Sequence, residues 1–85
     1  MKHFATSDFW NAYEALPGQV RRLADSNFQL LKTNARHPSL HFKRMGRFWS
    51  VRVGLHFRAL GVDAPDGVVW FWIGSHAEYD KLVGA

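Results

Sequence analysis

Apolar residues in the first third of the chain recur at intervals of three and four positions, the spacing of helices with one buried side. A short strand is predicted at about residues 2–5, and a helix that begins near Ser7 follows it. The Leu-Pro-Gly sequence at residues 16–18 ends that helix, because proline suits the first turn of a new one. The second helix runs to about Asn34. Two helices joined so closely predict an antiparallel helical hairpin.

The spacing of apolar residues changes after His37 and Pro38. The residue before a proline avoids the α conformation, so the helical region ends here. Alternation with a period of two then predicts four strands, at about residues 41–44, 48–53, 57–62 and 68–73. The short connections make neighbouring strands antiparallel. The chain is therefore predicted to be one α+β domain over residues 1–85, with the order β-α-α-β-β-β, a short C-terminal helix, and an antiparallel sheet packed on the helical hairpin.

Alternation within the strand at 48–53 assigns side chains to its two faces. Val51 and Val53 point to one face, while Ser50 and Arg52 point to the other. The last strand is apolar on both faces, as expected of a central strand that helices cover on at least one side.

Composition supports a small folded domain and excludes some kinds of site. The chain is 47% hydrophobic, and its four Trp, seven Phe and two Tyr supply a large buried area for 85 residues. It has no cysteine, which excludes disulfides and Cys-based zinc sites. The five histidines lack paired ligand spacing, so we expect no metal site and no cofactor. The N-terminal residues lack the apolar region of a signal peptide, and no apolar run is long enough to span a membrane. A soluble, cytoplasmic protein is expected.

Charge is distributed unevenly along the chain. Eleven Lys and Arg against seven Asp and Glu give a net charge of +4, but from Ser26 to Val62 there is no acidic residue at all. The basic residues of this segment are Lys32, Arg36, Lys43, Arg44, Arg47, Arg52 and Arg58. A single-sign stretch of this length favours a polyphosphate partner, a nucleic acid above all. The alternative is a solvated basic face that serves only solubility.

The residues after the last predicted strand offer a candidate for chemistry. Ser75 and Glu78 have the spacing of a capping box and predict a short helix. His76 would occupy its first position, where free N–H groups and the helix dipole favour an anion and a neutral imidazole. Tyr79 and Asp80 can share a face with it, and a neutral imidazole beside an anion can act as a general acid or base. The alternative is that the helix is merely capped, Tyr79 closes the core, and His76 is an exposed bystander.

Several segments together carry a resemblance to a known family. They are Leu-Pro at 16–17 with Val-Arg at 20–21, Asn-Ala-Arg-His-Pro-Ser-Leu at 34–40 with Phe-Lys at 42–43, Phe-Trp-Ser-Val-Arg-Val-Gly at 48–54, Phe-Arg-Ala-Leu at 57–60, and Ile-Gly-Ser-His-Ala-Glu-Tyr-Asp at 73–80. In this order and spacing they resemble, essentially end to end, the RelE/ParE superfamily of toxins from bacterial toxin–antitoxin modules. The Gly-Ser-His segment is more similar to the HigB and YafQ branches, which use a histidine there, than to RelE, which uses an arginine and a tyrosine.

The resemblance implies a RelE/ParE-like fold and a metal-independent endoribonuclease that cleaves mRNA in the ribosomal A site. In that reaction the ribose 2′-hydroxyl attacks the adjacent phosphate and leaves a cyclic phosphate and a free 5′-hydroxyl. The resemblance also implies a cognate antitoxin, with mRNA and the ribosome as further partners. Such antitoxins usually wrap the toxin with a segment that folds on binding. The acid-free middle of this chain predicts that this segment is acidic.

Four residues correspond to catalytic positions of the family. Arg58 matches the strand arginine that faces the scissile phosphate and would stabilise the transition state, with Arg52 as a second phosphate ligand. An arginine stays protonated throughout the usable pH range and is a poor base. His76 is the proposed acid or base, and Tyr79 would orient it or stack on an RNA base.

A further set of residues would bind RNA phosphates: Lys43, Arg44, Arg47 and His56. The acid–base assignment stays open among His76, His56 and Tyr79. His41 and His56 lie near the predicted groove and are candidates for it, although lone histidines on strands are more often plain surface residues.

Two other functions compete with the nuclease. ParE-type members of the same fold inhibit DNA gyrase without cutting RNA, and a third possibility is a non-catalytic RNA-binding relative. His76 and Tyr79, placed after a basic groove, favour the nuclease, because ParE-type members generally lack a complete catalytic set.

Overall fold

Five strands form a single sheet in the computed structural model, which describes residues 1–84. The strands are β1 (Lys2–Ala5), β2 (Lys43–Met45), β3 (Phe48–Val53), β4 (Phe57–Ala64) and β5 (Gly67–Ser75). Each strand end lies within two residues of its predicted position. The strands lie in the order β1-β5-β4-β3-β2, so β4 is central and β5 lies inside the sheet, as its apolar faces predict.

The sheet is mixed rather than antiparallel. Strands β2 to β5 pair with antiparallel neighbours, but β1 pairs in parallel with β5, with Lys2 opposite Gly67. Parallel pairing needs a long crossover, and the chain between β1 and β5 contains both helices of the hairpin. The architecture is the predicted α+β one. Its full order has four strands after the hairpin, so the order β-α-α-β-β-β counts one strand too few.

Three helices accompany the sheet: α1 (Ser7–Glu14), α2 (Gly18–Thr33) and α3 (His76–Val83), with a 3₁₀ turn at Pro38–Leu40. The hydroxyl of Thr6 caps α1 by accepting a hydrogen bond from the Phe9 N–H at 3.1 Å. The predicted capping box of α3 is confirmed, since Ser75 and Glu78 bond reciprocally. None of the helices within residues 1–84 combines the length and apolar character needed to cross a membrane.

The two faces of the sheet carry different kinds of residue. Val51 and Val53 lie in the hydrophobic core on one face, which α1 and α2 cover. Ser50, Arg52 and Arg58 point to the other face, where α3 packs against β4 and β5. The alternation predicted for β3 is therefore confirmed, and the basic residues of β3 and β4 lie on the face that the helical hairpin leaves free.

The 3₁₀ turn is anchored in the core by Leu40, whose side chain is fully buried. We expect Leu40→Ala to lower the free energy of unfolding by about 2–5 kcal/mol, because it removes core contacts and leaves a cavity. Leu55→Ala is the matched control, since the Leu55 side chain is 73% exposed, and it should change stability by less than about 0.5 kcal/mol. Urea unfolding measures both. Equal effects of the two substitutions would contradict the placement of Leu40.

A half-buried histidine connects β1 to the core. The ring of His3 stacks on Trp70, and its Nδ1 accepts a hydrogen bond from the Trp70 Nε1–H at 3.1 Å. The pKa of His3 is lowered by burial and then by the positive charges of the N-terminus and Lys32. The unfolded chain therefore binds a proton more readily than the folded protein. The stability that the neutral ring contributes is present above the ordinary pKa of 6.5 and is lost as the pH falls through the lower folded pKa.

His3→Gln should flatten this pH dependence, because the amide oxygen of glutamine can still accept from Trp70 but does not titrate. The difference in slope between the parent chain and the variant is at most about 1.4 kcal/mol per pH unit. Urea unfolding at several values between pH 7.5 and pH 5, roughly the range in which a histidine titrates, measures it. Parallel stability curves for the two proteins would refute the role of His3.

Candidate active site

Arg58 occupies the centre of the basic face, in the middle strand of the sheet. It is only 3% exposed. Its Nε donates a hydrogen bond to the Ser50 hydroxyl at 2.8 Å, and its Nη2 donates to the backbone carbonyl of His41 at 3.1 Å. The ring of Tyr79 lies 5.2 Å from its guanidinium carbon, within the range of a cation–π contact. Burial lowers the pKa of Arg58, and the charge of Arg52 acts in the same direction.

This buried cation has no anionic partner among residues 1–84, where no carboxylate lies within 4.0 Å of it. Arg52 lies directly opposite Arg58 in the ladder between β3 and β4. Like charges that face each other across a sheet are destabilising, and a buried charge without a partner costs several kcal/mol. The buried Nε of Arg52 also has no hydrogen-bond partner in the described structure. An anion bound between the two arginines would relieve all three unfavourable features.

His41 belongs to the same cluster. Besides the contact of its carbonyl with Arg58, its ring Nε2 lies 3.3 Å from Nη1 of Arg52. Its backbone is left-handed, with φ at 42°, and it is the one non-glycine in residues 1–84 with a positive φ. The pKa of His41 is lowered, first by the charge of Arg52, then by desolvation and by the charges of Arg58 and Lys43. Sequence reasoning named His41 only as a candidate near the groove, because its backbone conformation cannot be read from spacing.

Helix α3 brings two of the predicted residues to Arg58. The ring centroid of Tyr79 lies 5.5 Å from that of His76, so Tyr79 contacts both the His76 ring and the Arg58 guanidinium. Tyr79 is buried, as expected if it closes the core, and its hydroxyl has no hydrogen-bond partner in the described structure. His76 is about half exposed, and its Nδ1 lies 3.3 Å from a carboxylate oxygen of Asp80. The short C-terminal helix therefore closes one side of the basic face.

The predicted phosphate-binding residues of β2 lie on different faces. Lys43 pairs with Ser50, so it shares the face of Arg58, and it is exposed. Arg44 pairs with Trp49 and lies on the opposite face. There its Nη2 donates to both carboxylate oxygens of Asp63, at 2.8 and 2.6 Å, and its guanidinium packs 4.6 Å from the Trp49 ring. The structure does not bring Arg44 to the cluster.

The other two predicted phosphate ligands lie in turns at opposite ends of β3. Arg47 is exposed in the turn between β2 and β3, and the five residues from it to Arg52 span about 16 Å of strand. His56 is exposed in the turn between β3 and β4, and its carbonyl accepts a hydrogen bond from the His76 N–H at 2.7 Å. His56 is therefore next to the cluster, and Arg47 is distant from it.

Gly74 leaves space beside the arginine, since it lies directly opposite Arg58 in the ladder between β4 and β5. A Cβ at this position would overlap the ring of Trp72. Glycine therefore lets Trp72 cover the strand next to the cluster without a side chain competing for the space around the guanidinium.

An apolar cavity of about 350 Å³ lies on the opposite face, where aromatic side chains such as Phe9, Phe28 and Trp70 line it. It contains none of the residues of the basic cluster. Within the part of the chain that the structure describes, no three His, Asp or Glu side chains lie together as a set of metal ligands. The candidate groups for chemistry are therefore those on the basic face of the sheet. They are the guanidinium groups of Arg52 and Arg58, the imidazoles of His41 and His76, and the phenol of Tyr79.

Residues 19–81 match a family model described as a ParE-like toxin domain. Among solved structures, the RelB-RelE antitoxin-toxin complex from Methanococcus jannaschii contains a similar chain. The two are 13% identical, the match covers 93% of this chain and 96% of that one, and the TM-score is 0.71. A copper-bound mutant toxin from Helicobacter pylori is 16% identical, with 92% and 97% covered and a TM-score of 0.61. No curated protein matches the sequence significantly. At these identities the structural likeness shows a shared fold.

A buried cation without a partner should make the protein sensitive to anions. We expect inorganic phosphate to raise the free energy of unfolding above its value in chloride at equal ionic strength, by about 1.4 kcal/mol at roughly ten times its dissociation constant. Arg58→Gln should abolish the increase, because it removes the buried charge. Arg22→Gln is the matched control at an exposed arginine of α2 and should keep it. Phosphate stabilisation that survives Arg58→Gln would contradict an anion site at this position.

Proposed function

Because the chain belongs to the ParE-like toxin domain family, within the RelE/ParE superfamily, we propose that it is an endoribonuclease that cleaves mRNA on the ribosome and thereby inhibits translation. The observation that carries the proposal is Arg58, a buried guanidinium without a counter-ion, with Arg52 opposite it. Pairs of arginines in this arrangement suit the two non-bridging oxygens of a phosphate. His41 and His76 supply imidazoles at the borders of the same cluster.

The RNA itself supplies the nucleophile and the leaving group in the proposed cleavage. The 2′-oxygen loses its proton to a base and forms a bond to the adjacent phosphorus, while the bond from phosphorus to the 5′-oxygen breaks. The 5′-oxygen takes a proton from an acid, and the products are a cyclic phosphate and a free 5′-hydroxyl. His76 is the acid or base of this scheme, because its half-exposed imidazole contacts Tyr79, which packs on Arg58.

Preorganisation explains why Arg58 is buried. Ser50 and the His41 carbonyl fix its guanidinium from one side, and Tyr79 packs on it from another. The N–H groups that remain are held in place before a substrate arrives, so stabilising the charge that develops on the phosphate costs little reorganisation. Tyr79 in this scheme positions both Arg58 and His76.

Lys43 and His56 extend the phosphate-binding surface beyond the cluster, since Lys43 shares its face and His56 adjoins His76. Arg47 would contact RNA only at the far end of β3, and Arg44 only if it left Asp63. The RNA strand is thus proposed to run across β3 and β4 toward the start of α3.

The same face is proposed to bind a cognate antitoxin. The neighbour from Methanococcus jannaschii is itself an antitoxin–toxin complex. The segment of this chain from Ser26 to Val62 has no acidic residue, so an acidic partner segment would be attracted to it and would compete with RNA. Binding should weaken as salt rises, which a titration of the complex at several salt concentrations measures. A partner segment that is neutral or basic would contradict this part of the proposal.

Primer extension on cellular mRNA after brief induction of the chain tests the nuclease directly. New 5′ ends that follow codon positions are expected for the parent chain and for the control Arg22→Gln. Arg58→Gln should reduce cleavage about 10²–10³-fold through lost charge stabilisation, and His76→Ala about 10²-fold or more if His76 transfers a proton.

The same experiment separates the competing functions. Growth arrest with intact mRNA would refute the nuclease and favour inhibition of DNA gyrase, whereas neither effect would indicate a non-catalytic RNA-binding protein. Cleavage by His76→Ala at the parental rate would remove His76 from the mechanism and leave the nuclease itself standing.

A further inference from the structure

We infer that His41 is the general base that takes the proton from the ribose 2′-hydroxyl, and that His76 donates the proton to the leaving 5′-oxygen. The inference rests on the proposed nuclease function and divides the acid–base work that the resemblance leaves open. It is carried by the position of His41, whose backbone binds one arginine of the cluster and whose ring contacts the other.

The backbone of His41 is held in an uncommon conformation at the edge of the cluster. A positive φ is unfavourable for a non-glycine residue, and such residues concentrate at functional sites. Here the conformation ends the 3₁₀ turn at Pro38–Leu40, with the His41 N–H donating to the Pro38 carbonyl at 3.3 Å. It turns the His41 carbonyl to Arg58. The imidazole is therefore placed relative to the phosphate-binding guanidinium by the backbone, with Leu40 anchored in the core beside it.

The contact with Arg52 selects the nitrogen that accepts the proton. An arginine has only donors, so the Nε2 atom that lies 3.3 Å from Nη1 of Arg52 must present a lone pair, and the proton of the neutral ring is on Nδ1. When Arg52 turns to a phosphate oxygen, this lone pair becomes free beside that phosphate. The attacking 2′-hydroxyl is on the ribose whose 3′-oxygen carries that phosphate. A base that borders the phosphate site is therefore within reach of this hydroxyl.

The surroundings of His41 lower the pKa of its ring. The charged groups that face it are Arg52 on β3, Arg58 on β4 and Lys43 on β2, and all three lower its pKa. His76 has a different environment, because the Asp80 carboxylate lies 3.3 Å from its Nδ1. A carboxylate on one ring nitrogen orients the other nitrogen for proton donation. Two imidazoles with opposite neighbouring charges are what separate base and acid roles require.

The step balances with these two residues. The O2′–H bond breaks and its proton goes to Nε2 of His41, the O2′–P bond forms, and the P–O5′ bond breaks as O5′ receives a proton from Nε2 of His76. The enzyme then holds one extra proton on His41 and lacks one on His76, and exchange with water restores both.

Single-turnover cleavage of ribosome-bound mRNA as a function of pH tests the assignment. His41→Gly suits the left-handed backbone and opens space for free imidazole, and His41→Asn tolerates the same backbone with a side chain present. In both variants the cleavage rate should fall about 10²-fold or more. The increase of the rate with pH on the acidic side of the profile should also disappear. Added imidazole should restore cleavage by His41→Gly. His76→Ala should instead lose the alkaline limb. Arg22→Gln should match the parent chain.

A second measurement is independent of cleavage. Titration of the His41 ring by NMR should give a pKa below 6.5, the ordinary value for histidine, and Arg52→Gln should raise it. Circular dichroism and binding of an mRNA with a 2′-deoxy nucleotide at the cleavage site should be unchanged in the His41 variants, which separates lost chemistry from lost folding.

The outcomes distinguish this inference from the function on which it rests. No cleavage by the parent chain would overturn both. Cleavage by the parent chain and by His41→Gly with the same rate and pH profile would overturn the role of His41 and leave the nuclease intact. A His41 pKa at or above its ordinary value would also overturn it, because the ring would then be protonated when the base is needed.

Discussion

Arg58 is the residue around which one face of this protein is organised. It is a buried guanidinium with no carboxylate partner among residues 1–84 and with a second arginine opposite it. Such an arrangement is unfavourable in the free protein unless its hydrogen bonds and packing are well made. Ser50, the His41 carbonyl and Tyr79 supply these contacts from three separate elements. One buried cation thus ties together a strand, a turn and the C-terminal helix.

The opposite face of the sheet makes this possible. Apolar residues of β3, β4 and β5 pack there against α1 and α2, and the 3₁₀ turn adds the fully buried Leu40. Most of the hydrophobic stabilisation of a chain this small must come from that single core. The basic face is then free to carry features that reduce stability, such as facing arginines, a tyrosine hydroxyl without a partner and a histidine with positive φ. Natural proteins often concentrate such features at functional sites.

Much of the architecture follows from local patterns. The helical hairpin, the strand at Phe48–Val53 and the capped helix at His76–Val83 are predicted correctly, because periodicity and capping residues act over a few positions. The parallel pairing of β1 with β5 is not predicted, because it joins residues that are more than 60 positions apart. Arg44 is expected beside Lys43 at the phosphate, yet the register of β2 turns it to Asp63 on the other face.

The sequence by itself determines which segments form helices and strands, that Arg52 shares a face with Ser50, and that the middle of the chain has basic but no acidic residues, because each is a property of neighbouring residues. Only the tertiary structure decides that Arg58 is buried without a counter-ion and that His41 binds both arginines. Those facts depend on a turn, two strands and a terminal helix meeting at one point, with a backbone conformation that no residue spacing encodes.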